Sequence, residues 1–302
     1  MSGHGGASPL SRRSVIHGLA ATCAGAVALP ALARAAPVGP RVIDFRARPN
    51  TEEYLALFPQ SRASLPDAGT LAQFVAALDR AGIAKAVFPG RQSSIRIGSH
   101  WADVTLDNDY VAACVRAYPD RLVGLAGVNP LKRIDAVHEI ERAVGALGMK
   151  GVSIDLPGVQ ADDRMMYPIY YKCADLHVPV VITQGPRMGN LSNPRAIAVV
   201  ADDLPELTIV CSHAIYPDLD EWIALAFRCP NVFIEASMYH FLPGSGHLFE
   251  AVSSVLQDKV IYGSAFPFAP LGDVDIFKRK LRGKAVLDKV LYRNAARVLG
   301  IS

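Results

Sequence analysis

Two arginines stand at alternating positions where an apolar stretch of the chain ends. The stretch is Val42–Arg48, and the arginines are Arg46 and Arg48. Side chains two positions apart on a strand point to the same face, so two guanidinium groups would face one direction. Arginine is almost never fully buried without a partner. The stretch therefore forms either the wall of a pocket that holds an anion or an ordinary solvated strand edge.

Eight apolar segments follow one another along the chain, each succeeded by a helical pattern or a long loop. They begin near residues 42, 84, 121, 150, 178, 207, 232 and 260. Most are continuous apolar runs, which are typical of parallel strands buried on both faces. Eight such units in about 260 residues predict a single-domain α/β fold, the (β/α)8 TIM barrel. A doubly wound sheet is the alternative, but no glycine-rich phosphate-binding turn follows any strand.

The N-terminal segment reads as an export signal. Residues 11–16 resemble the twin-arginine consensus, a weakly hydrophobic run extends over residues 18–32, and Ala33-Arg34-Ala35 is a small-residue cleavage pattern. We therefore predict a signal peptide over residues 1–35, a barrel over residues 36–302, and a periplasmic location. The alternative is an uncleaved membrane anchor, which the shortness of the run and Pro30 disfavour. No later segment approaches the ~20 apolar residues of a spanning helix, so no stable membrane insertion is expected after signal cleavage.

Composition narrows the class of partner. The chain is 51% hydrophobic and 20% charged, as in an ordinary globular protein. A net charge of +3 is too small to indicate nucleic-acid binding. The sequence leaves open whether the chain forms a homo-oligomer.

The active site of a TIM barrel lies at the C-terminal ends of its strands. The polar residues at those ends are Arg46, Arg48, Arg91, Asn129, Asp155, Gln184, His213, Glu235, Ser237 and Ser264. His213 is the one histidine placed at a strand end, so an acid/base role is favoured over a structural one. Glu235 is either a second base or a counter-charge for one of the arginines. The polar stretch from Pro89 to Thr105 is predicted as a long loop.

Five short segments carry a family resemblance. They are Tyr118–Gly124, Met149–Val152, Pro230–Val232, Gly263–Pro267 and Asn294–Gly300. In this order and spacing the chain resembles the amidohydrolase-related family, in the branch of aminocarboxymuconate semialdehyde decarboxylase. The resemblance implies a TIM barrel whose metal is held by H-x-H at the first strand end, His at the fifth and Asp at the eighth. It also implies that the histidine of the sixth strand, here His213, is the general acid/base.

The four metal-ligand positions of that family are replaced in this chain. Arg46 and Arg48 stand for the histidine pair, Gln184 for the third histidine and Ala265 for the aspartate. Arginine cannot lose its proton to bind a cation, and two fixed positive charges repel one. The sequence therefore predicts no metal and no cofactor.

These observations predict a metal-independent hydrolase or lyase, such as a decarboxylase, acting on a small carboxylate. The predicted catalytic residues are His213 and Glu235, and the predicted substrate-binding residues are Arg46, Arg48, Arg91, Gln184 and Ser264. Loss of a metal-activated water favours lysis over hydrolysis. One alternative is a non-catalytic extracytoplasmic anion-binding protein. Another is a relocated metal site of His213, His240 and Glu235, which ranks last because no histidine pair has ligand spacing.

Overall fold

The computed structural model describes residues 41–97, 100–156 and 158–302. The predicted signal peptide lies outside these residues, so export and cleavage remain predictions. Within the described ranges, no helix combines the length and the apolar character needed to cross a membrane.

Eight parallel strands form one sheet in the order in which they occur along the chain. They are β1 (Ile43–Asp44), β2 (Lys85–Pro89), β5 (Leu122–Gly127), β6 (Val152–Ile154), β7 (Val180–Thr183), β8 (Ile209–Ser212), β9 (Val232–Glu235) and β10 (Val260–Ile261), while β3 (Arg91–Ile97) and β4 (His100–Leu106) form a separate sheet. Backbone bonds join the first strand to the last: Phe45 N–H donates to the Tyr262 carbonyl at 3.0 Å, and Ala265 N–H to the Arg46 carbonyl at 2.8 Å. The predicted barrel fold is confirmed.

Helices and single turns connect the strands. The helices form where the sequence is amphipathic. The α-helices are α1 (Glu52–Leu55), α2 (Leu71–Arg80), α3 (Asn108–Ala117), α4 (Ile134–Gly145), α5 (Tyr167–Asp175), α6 (Pro194–Asp203), α7 (Leu219–Arg228), α8 (Gly246–Ser253), α9 (Val274–Lys280), α10 (Lys284–Asp288) and α11 (Asn294–Leu299). In α2, Phe74, Val75 and Leu78 form the buried face. Thr70 and Gln73 begin that helix with a reciprocal capping box, which satisfies two backbone donors.

Apolar side chains fill the barrel interior at the end opposite the polar strand ends. Ile43, Val87, Val181 and Phe233 belong to one buried cluster that also contains apolar residues of the last helical segment, including Leu299. The C-terminal helix therefore closes that end, and the opposite end remains available for a site.

The stretch predicted as a loop after β2 is a β-hairpin, so that prediction was wrong. β3 (Arg91–Ile97) pairs antiparallel with β4 (His100–Leu106), from Arg91 opposite Leu106 to Ile97 opposite His100. The two strands form a separate sheet and carry many polar residues. They therefore lack the apolar run that marks the barrel strands. The hairpin begins directly after β2 and so fixes Arg91 at the barrel mouth.

Candidate functional site

A small pocket lies at the C-terminal ends of the barrel strands. Its lining residues come from the strand ends and the loops after them: Arg46, Arg48, Phe58, Arg91, Asp155, Thr183, Gln184, Arg187, Met188, His213, Met238, Tyr239, Ala265 and Phe268. Five of the seven site residues predicted from sequence line it, namely Arg46, Arg48, Arg91, Gln184 and His213. Glu235 and Ser264 do not line it, and Asn129 instead caps a single turn through Leu131 N–H.

Asp155 is the counter-charge for two of the arginines. Its Oδ2 lies 2.8 Å from Arg91 Nε, and its Oδ1 lies 3.9 Å from a terminal nitrogen of Arg46. Thr183 bridges Arg46 and Asp155, because its hydroxyl accepts a hydrogen bond from Arg46 at 3.0 Å and donates one to Asp155 at 2.7 Å. Burial alone would raise the pKa of Asp155, but Arg91 and Arg46 hold it at about 2. Asp155 is therefore ionised, and Arg46 and Arg91 form a rigid, partly neutralised wall.

Burial and the neighbouring Arg48 lower the pKa of Arg46 to about 10. Arg46 therefore stays charged at neutral pH. The pocket holds its positive charge throughout the physiological range.

Arg48 differs from these two arginines because it forms no close ion pair, although Asp155 acts on its charge from a longer distance. Its side chain is 3% exposed, and no carboxylate in the described part of the chain pairs with its guanidinium. Nε is buried without a hydrogen-bond partner there, and the guanidinium carbon lies 5.8 Å from the Tyr54 ring. A buried charge without a partner is costly. The arrangement therefore favours an anion in the pocket.

Gln184 presents an unused amide to the same pocket. It follows β7, where its backbone N–H donates to the Ser212 carbonyl at 2.8 Å. The side chain is 1% exposed, and both Nε2 and Oε1 lack a partner among the described residues. A buried amide that makes no hydrogen bond is unfavourable unless a ligand completes it. Gln184 thus offers one donor and one acceptor to a ligand.

His213 is held by a chain of hydrogen bonds that leads to Glu235. His213 Nδ1 lies 2.7 Å from Ser237 Oγ, and Ser237 Oγ donates to Glu235 Oε2 at 2.9 Å. Ser212 Oγ donates to the same carboxylate oxygen at 2.5 Å. The single hydroxyl proton of Ser237 is directed at Glu235, so His213 Nδ1–H must be the donor in the first bond. This tautomer leaves Nε2 as the unprotonated nitrogen.

His213 is neutral at physiological pH. Burial, and then the charge of Arg46, lowers the pKa of His213 well below its usual 6.5. A neutral imidazole with a free Nε2 is a proton acceptor. Glu235, fully buried beneath the pocket, acts on His213 through Ser237 and does not face a ligand itself.

Ser264 organises the loop after the last strand and lies outside the pocket lining. Its hydroxyl accepts from Phe266 N–H at 2.9 Å, and its N–H donates to Asp44 Oδ1 at 2.9 Å. Asp44 was missed in the sequence, although an acidic residue inside an apolar strand is a visible signal. Asp44 Oδ1 also accepts from Arg46 N–H at 3.1 Å, and burial raises the Asp44 pKa to about 6. Asp44 therefore ties the first strand end to the eighth.

Strained backbone gathers at this pocket. Among the described residues, six non-glycine residues have positive φ, and four of these line the pocket. The four are His213 at 65°, Met238 at 54°, Tyr239 at 49° and Ala265 at 67°. Such conformations cost of order 1–3 kcal/mol each and cluster at functional sites. The surrounding fold therefore holds these residues against their intrinsic preference.

The pocket does not fit the metal that the family resemblance implies. The four replaced positions do meet here, but they supply two guanidinium groups, one amide and one methyl group. Within the described ranges, no three His, Cys, Asp or Glu side chains are grouped to hold a metal ion. The relocated site is not assembled either. His240 Nε2 faces Asp273 Oδ2 at 3.5 Å, and Glu235 Oε2 is bound by two serine hydroxyls.

Comparison with known proteins gives the family and the fold. A model of the amidohydrolase family matches residues 43–301. The 2-amino-3-carboxymuconate-6-semialdehyde decarboxylase of Dictyostelium discoideum is 30% identical over 77 residues, which span 25% of this chain and only 21% of that enzyme.

Solved structures show the same barrel. An uncharacterised TIM-barrel protein from Bordetella bronchiseptica matches with a TM-score of 0.71 and 29% identity, over 86% of this chain and 98% of that one. The 5-carboxyvanillate decarboxylase of Sphingomonas paucimobilis matches with a TM-score of 0.65 and 17% identity, over 87% and 99% of the two chains. At that identity the second likeness concerns the fold alone. Because the family model spans nearly all of the barrel, the chain belongs to the amidohydrolase family.

Proposed function

We propose that this protein is a metal-independent amidohydrolase-family enzyme, a decarboxylase or hydrolase, that binds a small carboxylate through Arg48 and Gln184 and uses His213 as acid/base. One observation carries the proposal: Arg48 is a buried cation without a close ion pair among the described residues, in the same pocket as the free Nε2 of His213. Relatives named as decarboxylases of carboxylated compounds add support.

The binding step follows from the unused donors. A carboxylate accepts two parallel bonds from a guanidinium fork, which gives both charge and orientation. Arg48 supplies that fork, and Gln184 Nε2 supplies a further donor. Arg46 and Arg91, fixed by Asp155, lie beside the bound group and stabilise negative charge that develops during reaction.

In decarboxylation, Nε2 of His213 takes the proton of a substrate hydroxyl or enol and returns it to the carbon that bears the carboxylate. The bond from that carbon to the carboxylate then breaks, and carbon dioxide leaves. The electron pair of the broken bond remains on the substrate as an enolate. The arginines stabilise this enolate, and solvent then protonates it. One proton is consumed overall. During the step, Ser237 and Glu235 hold the imidazolium through Nδ1–H.

In hydrolysis of an ester or lactone, Nε2 instead takes a proton from water as the water oxygen attacks the carbonyl carbon. The arginines stabilise the resulting oxyanion, and the imidazolium returns the proton to the leaving oxygen. The product acid ionises at neutral pH, so one proton is released. Hydrolysis therefore releases a proton from the start, whereas decarboxylation consumes one until the carbon dioxide hydrates to bicarbonate and returns it, so the sign of the initial proton change separates the two reactions.

The test is turnover of a panel of hydroxycarboxylates and lactones, followed with a pH indicator and by product analysis. We expect His213→Ala to lower kcat by about 10²- to 10⁴-fold. His247→Ala is the matched control, because His247 is exposed on α8, outside the pocket lining, and pairs with Asp220. Full turnover by His213→Ala would refute the acid/base assignment. Carboxylate binding that depends on Arg48, with no turnover in either reaction, would identify an anion-binding protein.

The metal-independent part has its own measurement. We expect turnover to persist after dialysis against a chelator, and elemental analysis of the active protein to give far less than one metal ion per chain. Stoichiometric metal together with loss of turnover on chelation would overturn this part of the proposal.

A further inference from the structure

An apolar groove lies on the outside of the barrel, between the first turns of α4 and α5. Its volume is about 540 Å³, and its lining residues are Arg133, Ile134, Val137, Arg164, Met165 and Pro168. None of them lines the pocket at the strand ends. The volume is in the range of sites that hold a small organic molecule, so an aromatic side chain fits in it.

The apolar surface continues from this groove onto exposed side chains. Ile134 is 60% exposed and Tyr171 is 58% exposed. Tyr171 lies three residues after Pro168 on α5, so the two share one side of the helix. Large apolar side chains exposed around a groove mark an interaction site. We call this surface the α4–α5 face, and it consists of Leu131, Ile134, Val137, Met165, Pro168 and Tyr171.

Unpaired charges of both signs flank the α4–α5 face. Arg133 and Asp135 lie at the start of α4, and Asp162 and Arg164 lie in the turn before α5. All four are exposed, and no ion pair joins any of them to another charged side chain of the described residues. A uniformly acidic or basic partner would be repelled by half of these charges. A second copy of the same face offers both signs again, so each charge can meet its opposite.

The α4–α5 face also carries a projecting ring beside a groove. In a contact with two-fold symmetry, residue i of one copy touches residue j of the other, and j touches i. Tyr171 projects and the groove lies next to it, so each copy supplies the ring that the other accepts. Tyrosine is among the residues that contribute most to binding at interfaces, because its large ring is buried while its hydroxyl keeps a polar partner.

We propose that the protein forms a two-fold dimer through the α4–α5 face, with Tyr171 of each copy in the groove of the other. This contact goes beyond the proposed function, because it uses no residue of the pocket at the strand ends. The face spans one side of two helices of 12 and 9 residues, so the contact is small. We therefore expect a dissociation constant in the micromolar range.

The experiment is sedimentation velocity of the full chain over about 1–100 µM, a range that brackets a micromolar equilibrium. The unaltered protein should change from monomer to dimer as its concentration rises. Tyr171→Asp and Ile134→Asp should each weaken the dimer at least about tenfold, because each places a carboxylate in an apolar contact. Arg164→Asp should weaken it about threefold or more, because it removes one of the two positive charges.

Phe227→Asp is the matched control. Phe227 is 66% exposed on α7, and the neighbouring Arg228 is already paired with Asp202 at 2.9 Å. This variant should keep the dissociation constant within about twofold of the unaltered value. All the altered residues are exposed, so thermal unfolding should show that each variant still folds.

A chain that stays monomeric at the highest concentration would overturn the proposal and leave the face to a different protein. A dimer that Tyr171→Asp or Arg164→Asp leaves at full affinity would also overturn it, since the copies would then associate elsewhere, for example through the N-terminal segment. Growth beyond the dimer into open chains would contradict the two-fold symmetry. Equal weakening by Phe227→Asp would show that the effect is not specific to the α4–α5 face.

Discussion

Replacing Arg48 by methionine should make the ligand-free protein more stable and its pocket inactive in binding. Arg48 is 3% exposed, and its guanidinium forms no close ion pair with a carboxylate of the described residues. Methionine keeps the unbranched stem and its packing while removing the charge. The two effects have opposite signs because the charge of Arg48 stabilises the complex with an anion and destabilises the free protein.

The magnitudes follow from the burial. A buried polar group without a partner costs about 1–3 kcal/mol, and more when it is charged. For a domain of this size, 1 kcal/mol corresponds to about 2–4 °C, so Tm should rise by at least about 2 °C. Loss of one partner of a buried charge pair costs about 2–5 kcal/mol of binding free energy. Carboxylate affinity should therefore fall by at least about 30-fold.

Differential scanning calorimetry without ligand and calorimetric titration with a carboxylate measure the two effects. Arg121→Met is the matched control. Arg121 donates to the Ala84 carbonyl at 2.7 Å and to the Ile83 carbonyl at 3.0 Å, and it lies 2.8 Å from Asp79 Oδ1. That substitution should lower Tm and leave affinity unchanged. If Arg48→Met lowered the Tm of the free protein as much as the control, or left affinity intact, the unpaired-cation reasoning would be refuted.

Three further predictions use the same contacts. Ala265→Asp would place a carboxylate beside Arg46, whose backbone carbonyl accepts a hydrogen bond from the N–H of residue 265. This internal anion should lower carboxylate affinity at least about tenfold in calorimetric titration. Unchanged affinity would contradict the prediction. Burial raises the pKa of Asp44 from its ordinary 3.8 to about 6, so stability rises as pH falls through 6 toward 3.8. Asp44→Asn should therefore stabilise the fold by about 3 kcal/mol at pH ~8, measured as a higher Tm, and should not do so at pH ~4. An equal gain in Tm at both pH values would refute the sign. Ser237→Ala should lower kcat and shift the pH profile of kcat without raising KM, because His213 loses the hydroxyl that orients its ring. Ser237→Thr keeps a hydroxyl and should restore turnover. A change in KM alone would indicate a packing role for Ser237.

The barrel could be predicted because double-sided burial leaves a continuous apolar run for each strand. The apolar segment that begins near residue 178 is the strand Val180–Thr183, and the one that begins near residue 232 is the strand Val232–Glu235. The placement of five site residues followed from one rule, that the strand ends share a rim. Arg46, Gln184 and His213 meet there although many residues separate them in sequence.

The partners of these residues could not be predicted, since pairing depends on side-chain direction and on loop geometry. Asp155 was recognised at a strand end, but nothing near it in sequence indicates that Arg91 is its partner. Ser264 occupies a strand end too, yet its side chain serves the loop of Phe266. The hairpin after β2 was missed because neither of its strands belongs to the barrel sheet.

The left-handed residues of the pocket wall have a kinetic consequence. His213, Met238, Tyr239 and Ala265 are held in conformations that the folded chain imposes before any ligand arrives. A ligand then meets a finished surface and orders no loop on entry, so association should be a single fast step. Its rate should fall with added salt, because Arg187 at the mouth attracts anions through solvent. Differences between ligands should then appear chiefly in their residence times.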